Sequence, residues 1–338
     1  MRDSKHVQAC VWLLVATGLW GLSFPVIHAT WLVQKQLVPG ISSFFFAASL
    51  AVVRFSVAGS IIALLSVGTL RRMTRSEIQQ GIGLGMFGGL GIVFQMDGLA
   101  HTSASTSAFL TQFSCLVIPI WVAWSQRALP KWAVIVSCVM VLTGVAILAQ
   151  FDWHKFTMGR GEAETILSAI LFAGQILWLE RPRYAGNRAT HFTVVMFATI
   201  AVLIAPVVLF TAPSAGAFVA IYRPVEVLTL IASIVLVCTL GAYMLMNVWQ
   251  PHVTATEAGL IYCVEPISAS MFAAFLPGCI SRFAHIDYAN EHLTKNLIVG
   301  GGLITAANVL IQVEAMLQRR KIQAVTPPRY SPASSEPR

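Results

Sequence analysis

CVWLLVATGLWGLSFPVIHATWLV, residues 10–33, runs for 24 positions without an Asp, Glu, Lys or Arg. A bilayer core of about 30 Å needs about 20 apolar residues of helix at 1.5 Å rise each, so this stretch is long enough to cross one. It is apolar on every helical face, whereas a helix on the surface of a soluble domain keeps a polar side. Residues 102–126 and 132–151 are equally free of charge, and residues 189–222 stay so for 34 positions. The whole chain is 57% hydrophobic and 11% charged. Soluble domains carry roughly 25% charged residues, which excludes a water-soluble fold of this length.

Reading outward from that first run predicts an all-α polytopic membrane protein of ten transmembrane helices. They are expected at 10–32, 45–69, 78–100, 104–125, 132–150, 163–180, 190–211, 227–249, 255–277 and 296–317. The first is too long for the h-region of a cleaved signal, and further spans follow it.

The formal charge of +8 raises the question of a nucleic-acid partner, and the positions of the basic residues answer it. The N-terminus, the even-numbered loops and the tail hold Arg2, Lys5, Arg71, Arg72, Arg75, Arg127, Lys131, Arg181, Arg183, Arg188, Arg319, Arg320, Lys321, Arg329 and Arg338. The odd-numbered loops hold only Lys35, Lys155, Arg160, Arg223, Arg282 and Lys295. Basic residues stay on the cytoplasmic side, so both termini are expected there, in a plasma membrane or, in a bacterium, the inner membrane. The expected partners are the lipid bilayer and a small-molecule substrate; no nucleic acid is needed.

The six cysteines contain no C-x-x-C pair, and five lie in expected helices, so neither a disulfide framework nor structural zinc is predicted. The tail at 319–338, rich in Pro, Ser and Arg, lacks apolar periodicity and is expected to be disordered.

The chain also repeats itself. Ser103-Ala104-Ser105 with Ala108-Phe109-Leu110 lies over Thr254-Ala255-Thr256 with Gly259-Leu260-Ile261 at an offset of 151 residues, and Leu19-Trp20-Gly21 lies over Leu171-Phe172-Ala173 at 152. Two five-helix units follow, at 8–150 and 163–317. Five is odd, so the second unit enters the membrane from the opposite side, as in secondary transporters with inverted repeats.

Several motifs occur in an order that resembles a known family. They are Leu19-Trp20-Gly21-Leu22-Ser23-Phe24-Pro25, Val53-Arg54-Phe55, Gly98-Leu99-Ala100-His101-Thr102-Ser103-Ala104-Ser105, Ala108-Phe109-Leu110-Thr111, Val117-Ile118-Pro119, Val264-Glu265-Pro266 and Glu291-His292-Leu293-Thr294. The chain is similar in these elements to the drug/metabolite transporter superfamily, specifically its EamA-like members. The resemblance implies ten helices in two inverted repeats around a central cavity, moving small organic solutes. The chain departs from the family at His101, where a tyrosine is more common, at Gln126-Arg127, where Gly-Glu-Arg is common, and in its longer loop at 278–295.

Glu265 falls near the middle of the ninth expected helix, where a lipid-facing carboxylate costs about 3 kcal/mol, so it should face the interior. Two roles remain open for it: contact with substrate or a proton, or a protonated acid bonded to a neighbouring helix beside Pro266. Arg54 also needs an interior acceptor. Asp97 is the tempting partner, yet the pair differs in depth by roughly 9 Å at 1.5 Å per residue. Anchoring is the favoured role for Arg54 over binding an anion.

Trp20, Ser23, Phe24, Gln112, Gln175, Tyr243, Asn247 and Tyr262 add aromatic faces and uncharged hydrogen-bonding groups, a mixture suited to a small amphipathic ligand. Trp178 and His28 fit better as interfacial residues. His285, Asp287, Glu291 and His292 match no compact metal motif. No H-E-x-x-H, G-x-S-x-G or P-loop is present, so neither enzyme activity nor a cofactor is expected. The reading is a secondary transporter of small metabolites or amphipathic compounds, expected to export them by alternating access. A membrane enzyme acting on lipid-linked substrates and a nontransporting scaffold or receptor are the alternatives.

Overall fold

The structure, a computed structural model, describes residues 2–101, 110–148, 151, 154, 158–292 and 295–325. Its elements are helical: α1 Arg2–Leu37, α2 Ser43–Leu65, α3 Arg75–His101, α4 Ser114–Gln126, α5 Trp132–Leu148, α6 Arg160–Leu179, α7 Ala189–Thr211, α8 Val225–His252, α9 Ala255–Ala273, α10 Leu276–Ala284 and α11 Lys295–Val325. Short helices at Val67–Leu70, Pro182–Tyr184 and Ala215–Tyr222 join them.

Among the described residues, five helices are long and apolar enough to cross a membrane: α1, α2, α6, α7 and α8. The pair α9 and α10, bent by 56°, makes a sixth if it counts as one span. In each of the five, 39–44% of the apolar window is buried inside the protein. The rest keeps some exposure, and large apolar side chains stand far outside the bundle, with Val202, Leu209 and Phe210 at 73%, 79% and 90% exposure on α7. Such a surface is stable against lipid and not against water, which marks a membrane protein.

The ends differ from the sequence expectation in several places. α1 extends to 36 residues, so its ends project beyond the roughly 30 Å of a bilayer core. The second expected helix stops at Leu65 because Ser66 caps it. The first residues of the fourth, 104–109, lie outside the described residues, and a turn at 112–113 precedes α4. The ninth is not continuous. Pro266 has no N–H for the carbonyl of Tyr262 and its ring crowds that carbonyl, so the helix breaks at Cys263-Val264 and resumes at Glu265. The first part of the loop expected after it, up to Ala284, belongs to α10, closed by His285 in the left-handed region. α11 continues to Val325, so the start of the tail expected to be disordered is helical; residues 326–338 lie outside the described residues.

Packing crosses between the two halves of the chain. α3 lies on α6 and α7, α2 on α7, α5 on α11, and α1 on α8, α9 and α10. Glycines set the closest of these approaches. A Cβ on Gly81 or Gly85 would stand 2.5 Å from Val195 or Thr199 of α7, and one on Gly83 or Gly91 would strike Trp178 or Phe172 of α6. These glycines thus let α3 pack closely against two helices at once.

Candidate functional site

Trp20 on α1, Arg54 and Phe55 on α2, Phe197 on α7, Tyr243 on α8, and Tyr262 and Glu265 on α9 converge inside the bundle. The Trp20 ring lies edge-on between Tyr243 and Tyr262, with centroids 5.4 and 5.3 Å away. Tyr243 also meets Phe55 and Phe197, both at 5.7 Å. Edge-to-face geometry at these distances gives each ring a fixed orientation.

Two opposite charges face this aromatic group. Arg54 donates from Nε to Oγ1 of Thr239 at 2.8 Å, and its guanidinium lies 5.2 Å from the centre of the Phe55 ring. Glu265 and Tyr243 stand within electrostatic reach of it. No direct ion pair joins Arg54 to Glu265 among the described residues. All four of Arg54, Tyr243, Tyr262 and Glu265 lie deep in the bundle, yet each keeps accessible surface.

Local irregularities in two helices build the site. α8 widens to a π-helix over Ile234–Gly241, where Thr239 returns its hydroxyl to the carbonyl of Ile234 five residues back, at 2.9 Å. That widened turn presents Thr239 to Arg54. Helices depart from α geometry in this way mostly where a side chain has a task. In α9, the break before Pro266 puts Glu265 in the first turn of a new helical segment. Tyr262 is fixed from behind, donating to Oε1 of Gln250 at 2.8 Å, while Gln250 donates to the carbonyl of Ile176 at 2.9 Å.

The remaining expected residues divide. Gln175 and Asn247 meet at the Met196 sulfur, 4.0 and 3.9 Å away, and Asn247 donates to Thr193 at 2.8 Å. Both are buried beside the site; Oδ1 of Asn247 and the indole nitrogen of Trp20 are buried without a partner among the described residues. Ser23 donates to the carbonyl of Trp20 at 2.6 Å, so its hydroxyl is engaged by its own helix. Gln112 is buried at the turn before α4. Phe24 is 52% exposed and does not join the aromatic group.

Asp97 is not the partner of Arg54: Arg160 binds it and, at 2.7 Å, Glu164 as well. Asp97, His101 and Glu164 place potential ligand atoms within 4.8 Å of one another, but Arg160 already neutralises both carboxylates and supplies the cation there. Trp178 is an end anchor, with Arg181 stacked 4.0 Å from its ring and its indole donating to the carbonyl of Gln80 at 3.2 Å. His28 packs on Tyr288 at 5.0 Å.

Sequence reasoning missed Phe55, Phe197, Thr239 and Gln250. Arg54-Phe55 stood in a quoted motif, but nothing in the spacing singles out Thr239 or Gln250.

No family model matches the chain, and no curated protein matches it. Among solved structures, 27 chains match. One, described only as "Crystal structure of protein", aligns over 94% of this chain and 99% of that one, with a TM-score of 0.65 and 15% sequence identity. At that identity the likeness is one of fold.

Proposed function

We propose that this chain is a secondary active transporter of small organic metabolites or amphipathic compounds, an exporter of the EamA-like class with both termini in the cytoplasm. The observation that carries the reading is the pair Arg54 and Glu265, part-buried inside the bundle, within electrostatic reach of one another and beside the aromatic group of Trp20, Phe55, Tyr243 and Tyr262. Unpaired ionisable groups inside a membrane protein are expensive, and they are retained where a solute or ion uses them. A scaffold has no need of them.

The helix packing supports two inverted five-helix repeats. Exchanging the halves turns α3 on α6 and α7 into α8 on α1 and α2, both of which occur. It turns α4 on α6 into α9 on α1, and it returns α2 on α7 and α5 on α11 to themselves. On this reading the solute site lies between the repeats, where one repeat can rock against the other. Trp20, Arg54 and Phe55 come from the first repeat; Phe197, Tyr243, Tyr262 and Glu265 come from the second. Substrate is expected to contact Trp20, Tyr243, Tyr262 and Glu265, with Arg54 holding or balancing charge.

Purified protein in liposomes, screened by counterflow against a broad panel of amphipathic solutes, tests the reading. At least one solute should exchange, with flux lowered about tenfold or more in Glu265→Gln or Arg54→Gln, as expected for losing about 1.4 kcal/mol of interaction. Absence of flux across the panel, or flux indifferent to both substitutions, refutes it.

A further inference from the structure

Two buried histidine–carboxylate pairs close the end of the bundle that bears the N-terminus, and neither belongs to the interior site. His6 of α1 lies with Nε2 3.0 Å from Oε1 of Glu257 on α9, and His191 of α7 lies with Nδ1 3.0 Å from Oε2 of Glu77 on α3. All four residues are at most 3% exposed. Each glutamate also closes a Thr-x-x-Glu capping box, with Thr254 in one case and Thr74 in the other. A single carboxylate thus starts its own helix and ties it to a helix from the other half of the chain.

The two pairs differ in what else holds them. Glu77 also accepts from Nε of Arg188 at 2.9 Å and from the Arg188 amide at 3.1 Å. Asn187 reinforces the same seam through Ser76 and Gln80. The contacts of Gly81 and Gly85 with α7 leave it no slack. At Glu257 no cation reinforces the histidine among the described residues. A second carboxylate stands there instead: Glu180, just past the end of α6, accepts from the amide of Ala255 at 2.6 Å.

We propose that His6, Glu257 and Glu180 form a proton-sensitive latch that releases α1 from α9 at this end of the bundle, while Glu77, Arg188 and His191 form its fixed counterpart. Burial pushes Glu180 up to about 7; the amide of Ala255 draws it back only in part, and the charge of Glu257 pushes it further up. A carboxyl raised in the latched form favours that form below the ordinary carboxylate value, and the preference is lost as pH rises through about 7. The groups around it act together. His6 faces Glu257 from α1, His252 stacks on Trp249 at the end of α8, and Arg181 and Arg183 stack on Trp178 beyond Glu180. Glu257 is the charge that acts on Glu180 directly.

Spin labels on α1 and on the fixed seam test this by double electron–electron resonance in lipid nanodiscs. Gln8→Cys and Ile78→Cys are exposed positions for them, with Cys279 changed to Ser and Cys10, whose sulfur lies 4.0 Å from Nε2 of His6, changed to Ala so that it offers the histidine no new hydrogen bond. At about pH 5.5 one distance should dominate, and at about pH 8.5 a longer one should hold the majority. Glu180→Gln should keep the shorter distance across that range, and His6→Leu should populate the longer one throughout. A distribution indifferent to pH, or unmoved by His6→Leu, overturns the proposal. The wild-type series alone is decisive if a variant fails to fold. Distances are read without solute, so a bundle that opens but moves no solute keeps the latch and rejects transport.

Discussion

Replacing Gly21 by Ala should destabilise the protein while replacing Gly18 by Ala, one helical turn earlier, should stabilise it. A Cβ at Gly21 would stand 2.5 Å from the Cβ of Ser268, 2.8 Å from the amide nitrogen of Ala269 and 2.9 Å from the carbonyl carbon of Ser268. Ordinary contact is about 3.5–4.0 Å, so α1 and α9 must part by roughly 1 Å at their crossing. Two of the three obstructing atoms are backbone and cannot rotate away. Overpacking of this kind costs about 1–3 kcal/mol, against about 1 kcal/mol gained from the better helix former. At Gly18 nothing lies within 4 Å, so only the gain remains. The two variants should therefore differ by about 2–3 kcal/mol, the upper part of that overpacking range, with Gly21→Ala below wild type and Gly18→Ala above it. Thermal unfolding in one detergent, followed by the fluorescence of the nine tryptophans, ranks them. Equal midpoints, or a more stable Gly21→Ala, would show that α1 and α9 do not cross where the structure puts them.

Glu77→Gln removes the charge that Arg188 and His191 share and should cost about 1–3 kcal/mol, kept modest because Arg188 is 43% exposed. Burial pushes the Glu77 carboxyl up, but hydrogen bonds from Arg188, Thr74 and His191 outweigh it and hold the group well below its ordinary 4.5. Its contribution is therefore present above pH 4.5 and lost on further acidification, so melting midpoints taken downward from neutral pH should fall more in wild type than in Glu77→Gln. Tyr262→Phe leaves Oε1 of Gln250 without its donor and should cost about 1–3 kcal/mol, whereas Tyr243→Phe should stay within about 0.5 kcal/mol in the same melting assay. The reverse order would mean that Tyr243, not Tyr262, is the ring fixed by the framework.

Much of the fold is written into the chain at the level of solvent. Residues 10–33 and 189–211 are helices because a bilayer leaves the backbone no other partner, and helix is what the structure has there. The same logic fails where the backbone is irregular. Hydropathy is indifferent to whether eight apolar residues such as Ile234–Gly241 wind with four-residue or five-residue spacing, since both bury the same surface. Pro266 announced a disturbance in α9, but a kink and a full break with a restart at Glu265 have the same sequence signature. The capping boxes at Thr74 and Thr254 were visible as Thr-x-x-Glu. Their second task was not, because His191 and His6 lie 114 and 251 residues from the glutamates they meet.

The interior site shows the same division. Asp97 and Arg54 looked like partners because both belong to the first half and both need compensation, and the depth difference of roughly 9 Å already argued against them. The actual acceptor of Arg54, Thr239, lies 185 residues along, in the second half. The two rings edge-on to Trp20, Tyr243 and Tyr262, likewise come from that half. A site divided in this way exists only when the two halves have packed on one another, and its dimensions follow any movement between them. If the proposed function holds, binding and helix movement would be coupled through the same contacts, Trp20 with Tyr262 above all, because the glycine beside Trp20 brings α1 against the backbone of α9. A solute seated between Arg54 and Glu265 would hold the halves at one separation, and its departure would free them to take another.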